Sequence, residues 1–406
     1  MLKNASTFSP YRHFLQLPDT RNMLLAGLLA RMPVGMMALS MLLFVRDELG
    51  SLVKAGAIVG AYFLAAAIVA PFVGRLVDRS GPKMSLYCLG AIQPIAFSFF
   101  IFNIIGSKNF AAAIVCVALA GMCMSPLGVI TRTIWRMRFG HDDAVRKVAF
   151  TLDSIGVELN FTIGPLLVAA LIAGFSPRVA FFVSVTYATI AVGIFLLSPT
   201  LKYWQKVTVN NAESPSSFFG PLTHKGLQKL YLLSFGFACC LGFLEVSYPA
   251  YGSAIAQPAF GGVLLAINSI GSAAGGLLYG TMKFRNTLGR QFATALACLA
   301  LPLLAHALLQ QQLAFAIFAF MAGLAITPVF TAQMMLVTEM SPPKYATEAF
   351  TWSSTCIVSG IGLGTATGAL LVEKFSIAAP FLVGAILAGV LSALAFCLFR
   401  SPTIKP

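Results

Sequence analysis

The sequence predicts an all-helical membrane protein in which twelve transmembrane helices form two pseudo-symmetric six-helix bundles. Three observations predict this fold: an apolar composition with long apolar runs, an uneven distribution of basic residues, and an internal repeat. Hydrophobic residues make up 58% of the chain and charged residues only 10%, whereas soluble domains contain roughly 25% charged residues. The mean hydropathy is +0.86. We therefore expect an integral membrane protein that is surrounded by a lipid bilayer.

Twelve apolar runs are long enough to cross a hydrocarbon core, which takes about 20 helical residues. They fall near 23–45, 52–73, 84–105, 111–131, 148–173, 178–198, 230–252, 259–280, 291–309, 313–336, 349–372 and 377–399. The hydrophilic segment between the sixth and seventh runs is rich in Asn, Ser and Pro, a composition typical of linkers. We predict an N-terminal bundle at 1–198, a cytoplasmic linker at 199–229 and a C-terminal bundle at 230–406.

The 27 Lys and Arg residues are concentrated on one side of these runs. If the N-terminus is cytoplasmic, 21 of them lie on the cytoplasmic side, five lie on the opposite side, and Arg31 lies within the first run. Since cytoplasmic loops carry an excess of Lys and Arg, we predict that both termini are cytoplasmic. The net charge of +14 does not indicate a nucleic-acid partner, because the basic residues flank apolar spans instead of forming one soluble face.

An internal repeat relates the two predicted halves. The fourth and tenth runs share one pattern, and the starts of the fifth and eleventh runs share another, at offsets of 202 and 200 residues. The matching residues are Ala120, Gly121, Ser125 and Pro126 with Ala322, Gly323, Thr327 and Pro328, and Ala149, Phe150, Thr151 and Ser154 with Ala349, Phe350, Thr351 and Ser354. In a transporter built from two such halves, the substrate site lies between the repeats near the middle of the membrane.

Cofactor and metal chemistry has no signature in this sequence. None of the eight cysteines stands in a hydrophilic loop or a C-x-x-C pair, so we expect neither a disulfide framework nor a metal site. The nucleotide-binding pattern G-x-x-x-x-G-K-[ST] is absent from the sequence. We therefore predict a protein without cofactors that is not driven by ATP.

The segment 74–83, read G-R-L-V-D-R-S-G-P-K, separates the second and third apolar runs. Its two glycines and its proline predict a tight turn between two helices. This decapeptide resembles the loop signature of the major facilitator superfamily, G-x-L-x-D-R-x-G-x-K, found between the second and third transmembrane helices. The resemblance implies the major facilitator fold and, with it, a conformational switch formed by Gly74, Asp78, Arg79 and Gly81.

A second resemblance lies in the fifth run, where Asn160 is followed by Gly164 and Pro165. This segment is similar to the antiporter motif of the superfamily, G-x-x-x-G-P, with Asn160 in place of the first glycine. The chain resembles most closely the bacterial drug and metabolite exporters, which implies a multi-pass protein of the bacterial cytoplasmic (inner) membrane. It departs from that branch in the fourth run, where Cys116 and Val117 stand at the place of the proton-relay arginine.

Arg31 is the candidate to replace that arginine in proton coupling. It lies about 12 Å into the first run, and buried charges at such depths face the protein interior and have partners. Asp153 and Glu158 lie in the fifth run, which the resemblance implies is a neighbour of the first. The two acids are about 140° apart around the helix, and we favour Glu158 because it continues a polar stripe. A static ion pair between Arg31 and one acid is the alternative.

Glu245, Asn160 and Tyr248 are predicted to line the substrate cavity. Glu245 lies near the outer end of the seventh run, where it either binds a cationic group or protons or is simply hydrated. Tyr248 belongs to a set of Met, Phe and Tyr residues that suit an adaptable apolar surface.

Together these patterns predict a secondary active transporter, not an enzyme. We expect a monomer that exports a small amphipathic molecule in exchange for protons by alternating access. A proton-coupled importer of a small nutrient is the alternative on the same scaffold. A non-transporting membrane sensor and a membrane-embedded enzyme are remote alternatives.

Overall fold

The computed structural model describes residues 9–50, 52–107, 109–205, 220–282, 284–309 and 311–399. Within these ranges the chain forms fourteen α-helices and no β-strand. The helices are α1 (Ser9–Gln16), α2 (Thr20–Leu49), α3 (Leu52–Ser80), α4 (Pro82–Ile101), α5 (Phe110–Met122), α6 (Leu127–Arg138), α7 (Asp143–Gly174), α8 (Pro177–Leu197), α9 (Lys225–Ala254), α10 (Pro258–Thr281), α11 (Leu288–Leu308), α12 (Gln312–Met340), α13 (Ala346–Lys374) and α14 (Ala378–Leu398).

The predicted twelve-helix membrane fold is confirmed. Twelve helical segments of the described chain are long and apolar enough to cross a membrane. The helices extend beyond the apolar runs, as in α2, which begins at Thr20 and ends at Leu49 instead of covering only 23–45. Helical hydrogen bonding continues past the apolar core because terminal polar side chains can stay in water while the backbone remains satisfied.

The fourth span is not the single continuous helix that the apolar run 111–131 predicted. It consists of α5 and α6, and the chain between them, Cys123–Pro126, is not helical. Pro126 is the last residue of this break and directly precedes α6. A proline has no amide hydrogen to donate, and its ring clashes with the carbonyl one turn earlier, so it favours an interruption at this place.

The segment 74–83 is also more helical than the sequence predicted. Gly74, Asp78 and Arg79 belong to the last two turns of α3, which ends at Ser80, so these three residues do not lie in a loop. The turn is confined to Gly81, whose φ of 83° lies in a region that favours glycine. Pro82 begins α4 at a position where its missing amide hydrogen is not needed.

The chain divides into two compact units. The C-terminal unit comprises Met1–Gln16, Phe139–Glu158 and Val209–Pro406, and the N-terminal unit comprises Leu17–Arg138 and Leu159–Thr208. The division falls within α7, after Glu158. The first half of α7 therefore packs with the C-terminal helices, and the domain boundaries at 198, 199–229 and 230 stay a prediction.

Helix contacts at glycines repeat between the units and follow the internal repeat of the sequence. In the N-terminal unit, Gly121 of α5 lies against the backbone of Tyr62 in α3. In the C-terminal unit, the corresponding Gly323 of α12 lies against the backbone of Asn268 in α10. Both pairs bring two helices so close that a Cβ on the glycine would meet a carbonyl oxygen, as small residues allow in membrane proteins.

The helix α1 was not predicted, because the first 21 residues contain no long apolar run. Tyr11 and Phe14 are buried within the C-terminal unit. The Tyr11 hydroxyl donates hydrogen bonds to the carbonyl oxygens of Gly276 (3.1 Å) and Leu277 (2.9 Å) in α10. Burial raises the pKa of Tyr11 above its usual range, so this hydroxyl remains a donor.

Lys147 adds a second contact between the first half of α7 and α10. Its ammonium group donates to the carbonyl oxygen of Met282 at 2.9 Å and lies 3.9 Å from the centre of the Tyr279 ring. The Phe284 ring lies 4.5 Å from the same nitrogen. A cation over aromatic faces is stabilised by the negative potential of the rings, so Lys147 holds the start of α7 to the end of α10.

Candidate functional site

A carboxylate and two hydroxyl groups meet in the C-terminal unit, on helices α7, α10 and α12. Glu158 stands halfway along the 32-residue helix α7. Its Oε1 accepts a hydrogen bond from the Ser272 hydroxyl at 3.2 Å, and Ser272 Oγ lies 2.8 Å from Thr327 Oγ1. Ser272 and Thr327 are fully buried. An ionisable group at this depth in a spanning helix is the usual mark of a functional site in a membrane protein.

Glu245 lies on α9, in the same unit as Glu158. The Glu245 side chain is exposed, and within the described part of the chain it forms no hydrogen bond or ion pair. The C-terminal unit therefore contains both Glu158 and one of the residues predicted for the substrate cavity.

The polar stripe predicted on α7 consists of Ser154, Glu158 and Thr162, and Ser154 and the preceding Thr151 face α12. Thr151 Oγ1 lies 3.4 Å from Thr331 Oγ1, and Ser154 Oγ lies 3.9 Å from the sulfur of Met334. Asp153, on a different face of the same helix, is 5% exposed.

Arg31 lies in the N-terminal unit and packs against the start of α6. The Arg31 side chain is buried, and its Nη2 donates to the Gly128 carbonyl oxygen at 3.1 Å. A Cβ at Gly128 would lie 2.9 Å from Nε and 3.3 Å from Cζ of Arg31. The glycine therefore makes room for the guanidinium group beside the interruption of the fourth span.

The antiporter-like segment is a close contact between α2 and α7 within the N-terminal unit. A Cβ on Gly35 would overlap the carbonyl oxygen of Asn160, and a Cβ on Gly164 would lie 2.6 Å from the carbonyl carbon of Gly35. Pro165 lies inside α7 directly after this contact. The Asn160 side chain is 3% exposed, and its amide atoms form no hydrogen bond with a described residue.

Tyr248 lies in the core of the C-terminal unit. Its side chain is fully buried, and its ring centre lies 5.5 Å from that of His306 and 5.8 Å from that of Phe381. Contact between Tyr248 and a substrate would therefore require this aromatic packing to open.

Sequence reasoning missed Ser272, Thr327 and Gly128 as parts of the site. Ser272 lies in a run of small residues that includes Gly271, Gly275 and Gly276, and such runs favour close helix packing. The only signal for Ser272 was a hydroxyl within that run. Thr327 appeared in the repeat, and Gly128 follows Pro126, but nothing in the sequence linked them to Glu158 or Arg31.

The fold and these intramembrane charges define a multi-pass membrane protein with a transporter architecture. A family model for the Major Facilitator Superfamily matches residues 23–307 and 230–406. These matches cover most of the chain, which therefore belongs to the Major Facilitator Superfamily. A search of curated proteins gives no match.

Solved structures of transporters share the fold over nearly their whole length. The human organic anion transporter MFSD10 (TETRAN) has 16% sequence identity and a TM-score of 0.70, with 94% of this chain and 100% of that chain covered. A bacterial homologue of the iron transporter ferroportin, in an outward-facing state, has 16% identity and a TM-score of 0.73, covering 93% and 99%. The E. coli fucose:proton symporter FucP has 15% identity and a TM-score of 0.69, covering 94% and 99%. At these identities the likeness concerns the fold alone.

Proposed function

We propose that this protein is a secondary active transporter that exports a small amphipathic molecule in exchange for protons by alternating access. The observation that carries the proposal is the Glu158 carboxylate in the middle of α7, hydrogen-bonded by Ser272, in a member of a transporter family. A charge at the membrane centre costs about 2.5–3.5 kcal/mol on insertion scales. Protonation of the carboxyl group removes this cost and proton release restores it. In this proposal the two forms therefore favour different steps of transport.

In this proposal Glu158 carries the proton, and Arg31 favours the return of the charged form after proton release. Asp153 is the alternative carrier, since it is also buried in α7. The competing role for Arg31 is a permanent ion pair that only stabilises the fold. Glu245, Asn160 and Tyr248 contribute to the substrate cavity, with Glu245 as the exposed polar group.

The switch proposed for Gly74, Asp78, Arg79 and Gly81 is tested by Asp78→Asn. A negatively charged side chain is stabilising near the N-terminus of a helix. We propose that Asp78 makes such an interaction in one transport state only. Asp78→Asn should reduce transport several-fold while the amount of protein in the membrane stays the same. Transport at the wild-type rate by Asp78→Asn would remove the switch role.

We also propose that the protein lies in the bacterial cytoplasmic membrane as a monomer with both termini inside. Ser80, at the exposed end of α3, is then cytoplasmic. In a background without the native cysteines, Ser80→Cys should react with an impermeant thiol reagent in everted vesicles and resist it in intact spheroplasts. Labelling in spheroplasts would reverse the orientation.

A proton-coupled importer is the second candidate on the same scaffold. The fold is compatible with it, since the similar structures include one named as a symporter. The antiporter-like segment at Asn160, Gly164 and Pro165 favours export. A sensor or a membrane-embedded enzyme has no specific observation in its favour.

One set of experiments tests both the direction of substrate transport and its coupling to protons. Small molecules inside and outside cells with and without the protein are compared first, since an exporter leaves its substrate accumulated inside cells that lack it. The substrate found in this way is then supplied to everted vesicles that are acidified inside. A proton-driven exporter should concentrate it within them, and collapse of the pH gradient should stop uptake. Depletion inside the cells that lack the protein would support the importer, and no difference in any molecule would count against transport.

A further inference from the structure

The hydroxyl groups of Ser272 and Thr327 connect Glu158 to the interior of α12. The chain of contacts runs from Glu158 Oε1 to Ser272 Oγ at 3.2 Å and from Ser272 Oγ to Thr327 Oγ1 at 2.8 Å. The methyl group of Thr327 faces Gly276, where any Cβ would overlap it. Close packing between α10 and α12 therefore holds the two hydroxyl groups in place.

The direction of these hydrogen bonds follows from the charge on Glu158. A carboxylate only accepts hydrogen bonds, and a serine hydroxyl has one hydrogen to donate. When Glu158 is charged, Ser272 donates to it, so Thr327 must be the donor in the contact with Ser272. Both hydroxyl hydrogens then point toward the carboxylate.

Protonation of Glu158 on Oε1 reverses this order. The protonated carboxyl group donates to Ser272, Ser272 turns its hydrogen toward Thr327, and Thr327 donates to a carbonyl of its own helix one turn earlier, as threonine commonly does. Each hydroxyl group keeps its hydrogen and only rotates. The charge on Glu158 thereby determines how α10 and α12 are hydrogen-bonded.

We infer that Ser272 and Thr327 are positioning residues that stabilise the charged form of Glu158 and transmit its protonation state to α12. This inference rests on the proposed role of Glu158 as the proton carrier. Two other titratable groups of the C-terminal unit, Glu245 and Asp153, also have to be considered for the charge of Glu158. A negative charge on Glu245, on α9, would disfavour a second negative charge on Glu158, and Asp153 lies earlier on α7.

The test measures the protonation of Glu158 directly in the purified full-length protein. Infrared difference spectra are recorded against pH, and the carbonyl band of a protonated carboxyl group that disappears in Glu158→Gln is assigned to Glu158. In Ser272→Ala the midpoint of this band should move upward by about one pH unit, because Ser272 bonds more strongly to the charged carboxylate than to the protonated carboxyl group, and both bonds are lost. Ser272→Thr keeps the hydroxyl group and should restore the wild-type midpoint.

Three further variants separate positioning from a general effect on structure. Thr327→Val should give a smaller shift in the same direction, and Glu245→Gln should give a shift in the opposite direction. Ser234→Ala removes a buried hydroxyl group that donates to the Leu230 carbonyl of its own helix, and it should leave the midpoint unchanged.

An unchanged midpoint in Ser272→Ala overturns the inference. If Ser272→Ala does not reach the membrane, an unchanged midpoint in Thr327→Val overturns it instead. The proposed function fails separately: if the band shifts as expected but Glu158→Gln still drives uphill transport, Ser272 positions Glu158 and the transported proton is carried elsewhere.

Discussion

Glu158→Gln is expected to abolish accumulation of substrate against a gradient while leaving substrate exchange and the amount of protein in the membrane intact. Glutamine resembles the permanently protonated carboxyl group, and its amide can still bond to Ser272. A carrier that cannot release a proton cannot couple substrate movement to the pH gradient. We would measure pH-driven uptake, exchange at equal substrate concentrations and membrane abundance in everted vesicles.

The alternative, a permanent ion pair, predicts a different result. If Arg31 and Glu158 form a fixed pair, Glu158→Gln leaves a buried charge uncompensated at a cost of about 3–5 kcal/mol, and the protein should be lost from the membrane. Arg31→Gln should have the same effect, and the double variant should restore abundance and transport. Full uphill transport by Glu158→Gln would instead exclude this residue as the carrier and favour Asp153.

Gly275→Ala is expected to destabilise the protein strongly, because a Cβ at this position would overlap the carbonyl oxygen of Leu324 in α12. Backbone atoms cannot rotate away, so α10 and α12 would have to separate along their contact. Overpacking of this kind costs about 1–3 kcal/mol or more. We would measure the midpoint of thermal unfolding and the fraction of monodisperse protein after purification.

The matched control is Gly262→Ala, on the same helix. A Cβ there meets no atom within 4 Å, and alanine has the higher helix propensity by about 1 kcal/mol. Gly262→Ala should therefore leave the thermal midpoint unchanged or raise it. Equal midpoints for the two variants would show that the close approach of α10 and α12 does not limit stability.

The number of spans could be predicted from the sequence because each span must satisfy its own backbone hydrogen bonds in lipid and remain apolar over its length. The repeat was visible for a related reason. Gly121 and Gly323 occupy equivalent helix contacts, and only glycine fits where two backbones meet so closely. Each span and each repeated pattern can be recognised within a short stretch of sequence, without knowledge of which helices are in contact.

The helices differ from the predicted ones where the local sequence preference and the contacts with other helices have opposite effects. Pro126 and Pro328 match in the repeat, yet the chain is interrupted before Pro126, whereas α12 continues through Pro328. A proline weakens a helix at either place, and its surroundings decide whether the helix continues. The helix α1 was missed because its burial depends on a contact with α10, far away in the sequence.

The sequence by itself determined the twelve membrane spans, the twofold repeat and the presence of a few ionisable residues within apolar runs. Composition and spacing are sufficient for these features, since a bilayer imposes the same requirement on every span. Only the tertiary structure decided that Glu158 meets Ser272, that Ser272 meets Thr327, and that Arg31 packs on Gly128. These contacts join residues 55 to 114 positions apart, and they depend on the rotation and depth of each helix against its neighbours, which an apolar run does not specify.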